Sequence, residues 1–399
     1  MAYTVLARRY RSQAFGDVVG QEAVARTLSN AIERDRVAHA YLFCGTRGVG
    51  KTSMARLLAR ALNAPASMTD APKLQGVEYP EEDVQGRMAE AIMRGDDLNV
   101  IEIDGASNNR VEEARELIAG AGLAPTGAAR FKIYIIDEVH MLTQAAFNAL
   151  LKTMEEPPEH VKFILCTTEP HKVPATIQSR CQRFDFPSIP AMKIAEHLKA
   201  VVDSESLKAD DELIWRVARL GNGSMRDALS LLDRVIAAAG DGALSVGTLE
   251  ELLGLPESEL IDGLVSAMAD GDVAKTLEAA STLLHRGVSQ DQVVEALVER
   301  LRQLMLIAAC GVESELVELP AEGREASAAL ASRFDTQGLV YLMMLGENLQ
   351  RHAKSSASPR ALLDATLVRM ALAEKMADVA GLLSGGVAAG AEKKKSVVR

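Results

Sequence analysis

Gly45-Thr46-Arg47-Gly48-Val49-Gly50-Lys51-Thr52 fills every fixed position of the pattern G-x-x-x-x-G-K-[ST]. A short apolar run, Tyr41-Leu42-Phe43-Cys44, stands before it and reads as a strand. A helical pattern follows, from Lys51 to about Leu62. That context gives the pattern its chemistry. Glycines let backbone N–H groups turn inward around phosphates, and the helix N-terminus adds a partial positive charge. Lys51 can reach the β- and γ-phosphates, and the Thr52 hydroxyl, with Ser53 beside it, can face a Mg²⁺ ion. The loop therefore predicts ATP and Mg²⁺ as cofactors.

Further along, Val100 to Asp104, Phe131 to Ile136 and Val161 to Thr167 are strand candidates rich in β-branched residues, with helical patterns between them. Strands separated by helices predict an α/β fold with a parallel sheet covered by helices on both faces. The strand ending at Ile136 delivers Asp137-Glu138 to its tip. Asp137 suits the metal shell, and Glu138 is placed to orient or deprotonate an attacking water. Together with the loop, this predicts hydrolysis by positioning and electrostatic stabilisation, without a covalent enzyme intermediate.

With 399 residues, the chain is too long for one ordinary core. The expected division is an ATPase domain over 1–185, a helical lid over 186–243, an all-helical collar over 244–378 and a disordered tail over 379–399. Within the first domain, 64–97 carries Pro65, Pro72 and Pro80 and reads as a partly irregular surface insertion. Ser224 and Asp227 have the spacing of a helix-capping box. Aromatic residues make up only 4% of the chain, which favours helices over sheets. The net charge of −11 argues against a uniformly basic nucleic-acid binder, although local basic patches remain compatible with it. Cys44, Cys166, Cys181 and Cys310 show no ligand spacing and read as reduced thiols of a cytoplasmic protein. No apolar run of about 18 residues predicts a membrane span.

Several further stretches carry a family resemblance. They are Ala7-Arg8-Arg9-Tyr10-Arg11-Ser12-Gln13-Ala14-Phe15, then Asp17-Val18-Val19-Gly20-Gln21-Glu22, and Asp137-Glu138-Val139-His140-Met141-Leu142. Phe147-Asn148-Ala149-Leu150-Leu151-Lys152-Thr153-Met154-Glu155-Glu156-Pro157-Pro158, Ser179-Arg180-Cys181 and Gly223-Ser224-Met225-Arg226-Asp227-Ala228-Leu229-Ser230 complete the set. From about residue 3 to 240 the chain resembles the bacterial clamp-loader ATPases, the gamma/tau subunits of DNA polymerase III.

The resemblance implies an AAA+ fold with a helical lid and a collar, assembled with other subunits into a five-membered ring. Such a ring places a sliding clamp on primed DNA, with the polymerase activity in other subunits. By motif match, Arg180 resembles an arginine finger acting in trans, and Arg226 a lid sensor of the γ-phosphate. Thr168, where the strand after the Asp-Glu pair ends, resembles the polar sensor there, with Thr167 as its rival. Val18 and Val19 resemble the wall of the adenine pocket, and Arg11 a group near the nucleotide. Asn109 and Arg110, in Ser107-Asn108-Asn109-Arg110, and Lys172 are candidate DNA contacts at helix starts.

The chain also departs from that family. The stretch Asn63 to Asp97 holds neither Cys nor His where the family carries a four-cysteine zinc module, so zinc is expected to be absent. Ser12 replaces a customary proline. The chain stops soon after the expected collar, so contacts to helicase and polymerase made by longer forms are not expected from it. Two other readings remain open: another AAA+ DNA motor, and a structural ring subunit that binds ATP without turning it over.

Overall fold

Strand β1 spans Ala40–Gly45, β2 Val100–Asp104, β3 Lys132–Asp137, β4 Val161–Thr167 and β5 Gln182–Phe186. They form one sheet in the order β2-β3-β4-β1-β5, and every pairing is parallel. The coordinates are a computed structural model that describes residues 4–64, 84–107, 120, 122–240 and 242–373, apart from 315, 318 and 320. The chain divides into two compact units, Met1–Leu244 and Ser245–Arg399.

The predicted runs that became β1, β3 and β4 are buried on both faces, as the interior of a parallel sheet requires, whereas β2, at one edge, buries only Val100. Successive residues alternate between two cores. Tyr41, Phe43, Ile133, Ile135, Ile164 and Cys166 point into one. Leu42, Cys44, Tyr134, Ile136, Phe163 and Leu165 point into the other. Among the helices of the first unit are α1 Leu6–Arg9, α2 Glu22–Glu33, α3 Lys51–Asn63 and α4 Val84–Arg94. Leu28, Leu57, Leu58 and Ile92 bring α2, α3 and α4 onto the first face. Helix α5, Gln144–Glu155, covers the second with Phe147, Leu150 and Met154. A short helix α6, Ala175–Gln178, precedes β5.

Two expectations need correction. Residues 84–94 of the expected surface insertion form a helix that buries Met88, Ala89, Ile92 and Met93 in the main core. The prolines all precede this helix, and its own apolar spacing turns one face inward. Residues 65–83 lie outside the described residues, as do Asn109, Arg110 and the expected tail. Strand β5 was not among the predicted strands. It is an edge strand, and four of its five positions are not buried, so it lacks an apolar run. Phe184 and Phe186 still fix it to β1, their ring centroids lying 5.9 and 5.1 Å from that of Phe43.

Three helices complete the first unit: α7 Ala191–Ser204, α8 Asp211–Leu220 and α9 Met225–Ala239. Ser224 caps α9, its hydroxyl accepting from the Asp227 N–H at 3.2 Å.

The second unit is helical throughout its described residues. Its helices are α10 Val246–Leu253, α11 Ser258–Ala269, α12 Val273–His285, α13 Gln290–Cys310, α14 Ala321–Ala331, α15 Thr336–Ala353 and α16 Pro359–Ala371. A separate core is built on Leu264, Leu283, Leu297, Leu301, Leu342 and Leu367. A reciprocal capping box starts α13: Ser289 accepts from the Gln292 N–H at 3.2 Å, and Gln292 accepts from the Ser289 N–H at 3.0 Å. No described helix is long and apolar enough to cross a membrane.

Candidate nucleotide site

The loop from β1 to α3 needs its glycines. Gly48 has φ +75° and Gly50 φ +100°, a region that side chains with a Cβ rarely adopt. Lys51 opens α3 and is only 5% exposed. Its ammonium donates to the Gly45 and Thr46 carbonyls, at 2.8 Å each. Burial lowers its pKa from the ordinary lysine value, and the charges of Glu138 and Asp137 are among the influences that oppose the shift. Two carbonyls thus hold the ammonium where the loop closes on itself. A phosphate oxygen is a stronger, charge-bearing partner for the same donor.

Strand order brings the second half of the site alongside. Asp137 ends β3, and its Oδ2 accepts from Thr52 Oγ1 at 2.7 Å. Its other oxygen accepts from the Glu138 N–H at 2.9 Å. Glu138 has φ 45° and ψ 45°, uncommon for a residue other than glycine. Gly105 makes that turn possible: a Cβ there would stand 2.7 Å from the Glu138 carbonyl oxygen. Glu138 Oε2 accepts from the Thr168 hydroxyl at 3.0 Å and from its N–H at 3.3 Å. Thr167 is fully buried and turns instead to His140 Nδ1, at 3.1 Å. Of the two rival threonines, Thr168 is therefore the one that meets Glu138.

The α7–α9 region closes onto the loop. The Met225 N–H donates to the Gly48 carbonyl at 3.1 Å, which sets Arg226 beside the loop. From the N-terminal arm, Val18 is buried and its Cγ1 lies 3.0 Å from where a Gly50 Cβ would be. Val19 is half-buried. The arm is held by Arg60, fully buried, whose guanidinium donates to the Gln13 carbonyl at 2.6 Å. Burial lowers the Arg11 pKa, and the positive charges of Arg56 and Arg226 act in the same direction. Among the described residues no hydrogen bond or ion pair engages the Arg11 or Arg226 guanidinium. Clustered, unpaired guanidinium groups beside a phosphate loop suit a polyanionic ligand.

Two predicted residues stand apart from this cluster. Arg180 follows α6, donates to the Thr176 carbonyl and pairs with Glu155 at 2.6 Å. Lys172 lies in a short turn and pairs with Glu169 at 2.9 Å. Sequence reasoning gave no role to Gly105 or to His140. The signal for His140 was its place three residues after Asp137 in Asp-Glu-Val-His.

A phosphate loop and an acidic strand tip on one parallel sheet, with a helical lid meeting the loop, define the AAA+ P-loop fold. Family models agree on the lineage. Residues 20–190 match "DNA polymerase III, delta subunit", 193–242 match "DNA polymerase III clamp loader subunit, ATPase lid domain", and 244–384 match "DNA polymerase III subunits gamma and tau domain III". The chain is 38% identical to the DNA polymerase III subunit tau of Bacillus subtilis over 93% of its own length and 63% of the relative's. With the Escherichia coli tau subunit it shares 41% identity, over 80% of this chain and 48% of that protein. With the gamma subunit of Buchnera aphidicola it shares 41%, over 77% of this chain and 81% of that one. The chain belongs to the DNA polymerase III gamma/tau subunit family. It spans about half to two thirds of the tau subunits it matches.

Proposed function

We propose that the chain is an ATP-hydrolysing subunit of a DNA polymerase III clamp loader, using ATP to place a sliding clamp on primed DNA during replication. The observation that carries this is the pairing of Thr52 with Asp137 beside an intact, lysine-bearing phosphate loop. In this reading Gly45, Thr46, Arg47, Gly48, Val49, Gly50 and Ser53 line the phosphates, and Lys51 leaves its two carbonyls to meet them. Thr52 and Asp137 hold Mg²⁺, which supplies charge neutralisation at the phosphates. Glu138 and Thr168 orient the attacking water. Val18 and Val19 flank the base, while Arg11 and Arg226 add positive charge from the arm and the lid.

Arg180 acts in a neighbouring subunit of a five-membered ring, exchanging Glu155 for a γ-phosphate there. Such a finger ties hydrolysis to assembly. Lys172, with Asn109 and Arg110, contributes to DNA contact. Polymerase chemistry belongs to other subunits of the holoenzyme, and the ring works in the cytoplasm. The residues of 63–97 supply no thiolate or imidazole for zinc.

The test is ATPase activity of the chain with its partner subunits, with and without clamp and primed DNA, beside a Lys51→Ala control. Stimulation that vanishes in the control is the expected result. Nucleotide binding without turnover in any combination would leave a structural ring subunit instead.

A further inference from the structure

His140 is bracketed by two carboxylates. Its side chain is 6% exposed, with Nδ1 3.4 Å from Glu138 Oε2 and Nε2 3.3 Å from Glu169 Oε1. On the inner side, Glu138 Oε2 already faces the N–H and hydroxyl of Thr168 as well as the imidazole. That oxygen accepts two hydrogen bonds from Thr168, and the His140 Nδ1, itself hydrogen-bonded to the Thr167 hydroxyl at 3.1 Å, is its third polar neighbour, so little capacity is left for a water proton. On the outer side, Glu169 is 37% exposed and pairs with Lys172 at 2.9 Å. That hydrogen bond to Lys172 is the main influence holding the Glu169 carboxyl below its ordinary pKa. The chain of contacts therefore runs from the surface to the residue proposed to handle water.

We infer that His140 is a positioning residue for Glu138, and that Glu138 and Glu169 compete for its ring, so that the outer carboxylate sets how tightly the inner one is restrained. This rests on the proposed ATPase reading. A tight inner contact keeps Glu138 parked against Thr168, and a tight outer contact releases it toward water. The two ends of the contact chain consequently act in opposite senses. Removing the Glu169 charge leaves the ring proton to the inner side, where Glu138 shares it with the Thr167 hydroxyl, and restrains Glu138 further. Removing the imidazole takes one donor off Glu138 and frees it.

The experiment measures kcat and KM for ATP in the assembled loader with clamp and primed DNA, with nucleotide affinity read separately by a fluorescent ADP analogue. Glu169→Gln is expected to lower kcat about threefold and His140→Ala to raise it about threefold, the size of one hydrogen bond's net worth. KM and nucleotide affinity stay within about twofold in both. His140→Asn keeps a donor near the inner nitrogen and loses the outer one, so it follows Glu169→Gln. In the His140→Ala background, Glu169→Gln has no further effect. Shifts of the same sign, additive effects, or loss of nucleotide affinity in either single variant would overturn the inference. Absence of any Lys51-dependent turnover would instead overturn the function on which it rests.

Discussion

Gly48 and Ser224 lie so close that a Cβ on the glycine would stand 1.8 Å from the serine hydroxyl oxygen. One residue belongs to the phosphate loop and the other caps the helix α9. The cap of the lid is thus also a wall of the loop. Gly48→Ala must both strain a φ of +75° and displace the Ser224 cap. The expected result is a loss of about 2 kcal/mol in stability of the first unit, with nucleotide affinity reduced at least about tenfold. Thermal melting and nucleotide titration check it.

Thr52→Val keeps the shape of the side chain and removes the donor to Asp137. Asp137 retains the Glu138 N–H through its other oxygen, so the ligand-free protein loses only about 1 kcal/mol. The nucleotide effect is expected to be specific to Mg²⁺. Affinity for ATP with Mg²⁺ falls about tenfold or more, while affinity for ATP in excess chelator hardly changes. Parallel titrations in the two conditions separate these outcomes.

Arg180→Ala divides stability from assembly. The Arg180 and Glu155 side chains are 32% and 50% exposed, so their ion pair is worth at most about 1 kcal/mol. The melting temperature of the isolated chain is expected to move little. If the guanidinium works in a neighbour's site, turnover of the assembled ring falls on the order of 10³-fold. A variant ring with undiminished turnover would remove the trans role.

Tyr134 supplies a pH dependence. The residue is 1% exposed, and its hydroxyl has no hydrogen-bond partner among the described residues. Burial pushes its pKa from 10.0 up to about 12. The folded state thus favours the neutral phenol. That contribution is whole below pH 10 and drains away as the pH rises toward about 12, a span of about 2–3 kcal/mol. Tyr134→Phe is expected to be neutral or stabilising by about 1 kcal/mol at pH 8 and to flatten the alkaline loss. Denaturant melts at pH 8, 10 and 11 test both parts.

In the second unit, Gly346 lets α15 approach α13. A Cβ there would lie 2.3 Å from Val298 Cγ2, and the branched valine has little freedom to turn away. Gly346→Ala is expected to cost about 1–3 kcal/mol in that unit through overpacking. Nucleotide binding by the first unit is the internal control.

The phosphate loop and Asp137-Glu138 were legible because their chemistry needs fixed residue types at fixed spacing. Strands β1, β3 and β4 were legible because a doubly covered parallel strand is a largely apolar run, and β2, at the other edge, because Val100, Ile101 and Ile103 are β-branched. Strand β5 was hidden by its position at the sheet edge, where Gln182, Arg183 and Asp185 can face solvent. The core role of 84–94 was masked by the prolines upstream, which colour the composition of a window wider than the helix. His140 could be read only as one more residue of a motif. Its meaning depends on Glu169, whose approach is set by the turn after β4 and not by any spacing in the chain.

The strand order has a kinetic consequence. Gly45, Asp137 and Thr167 end three adjacent strands, β1, β3 and β4, yet they are drawn from widely separated parts of the sequence. Nothing local can assemble those tips, because parallel pairing must first close long loops. The helical second unit, with short connections between sequential helices, carries no such delay. On dilution from denaturant, helical signal from that unit is expected to return well before the ability to hold a nucleotide. A growing chain would likewise leave the ribosome with its loop made of the right residues but not yet a site, until Val161–Thr167 has slotted between the two strands on either side of it.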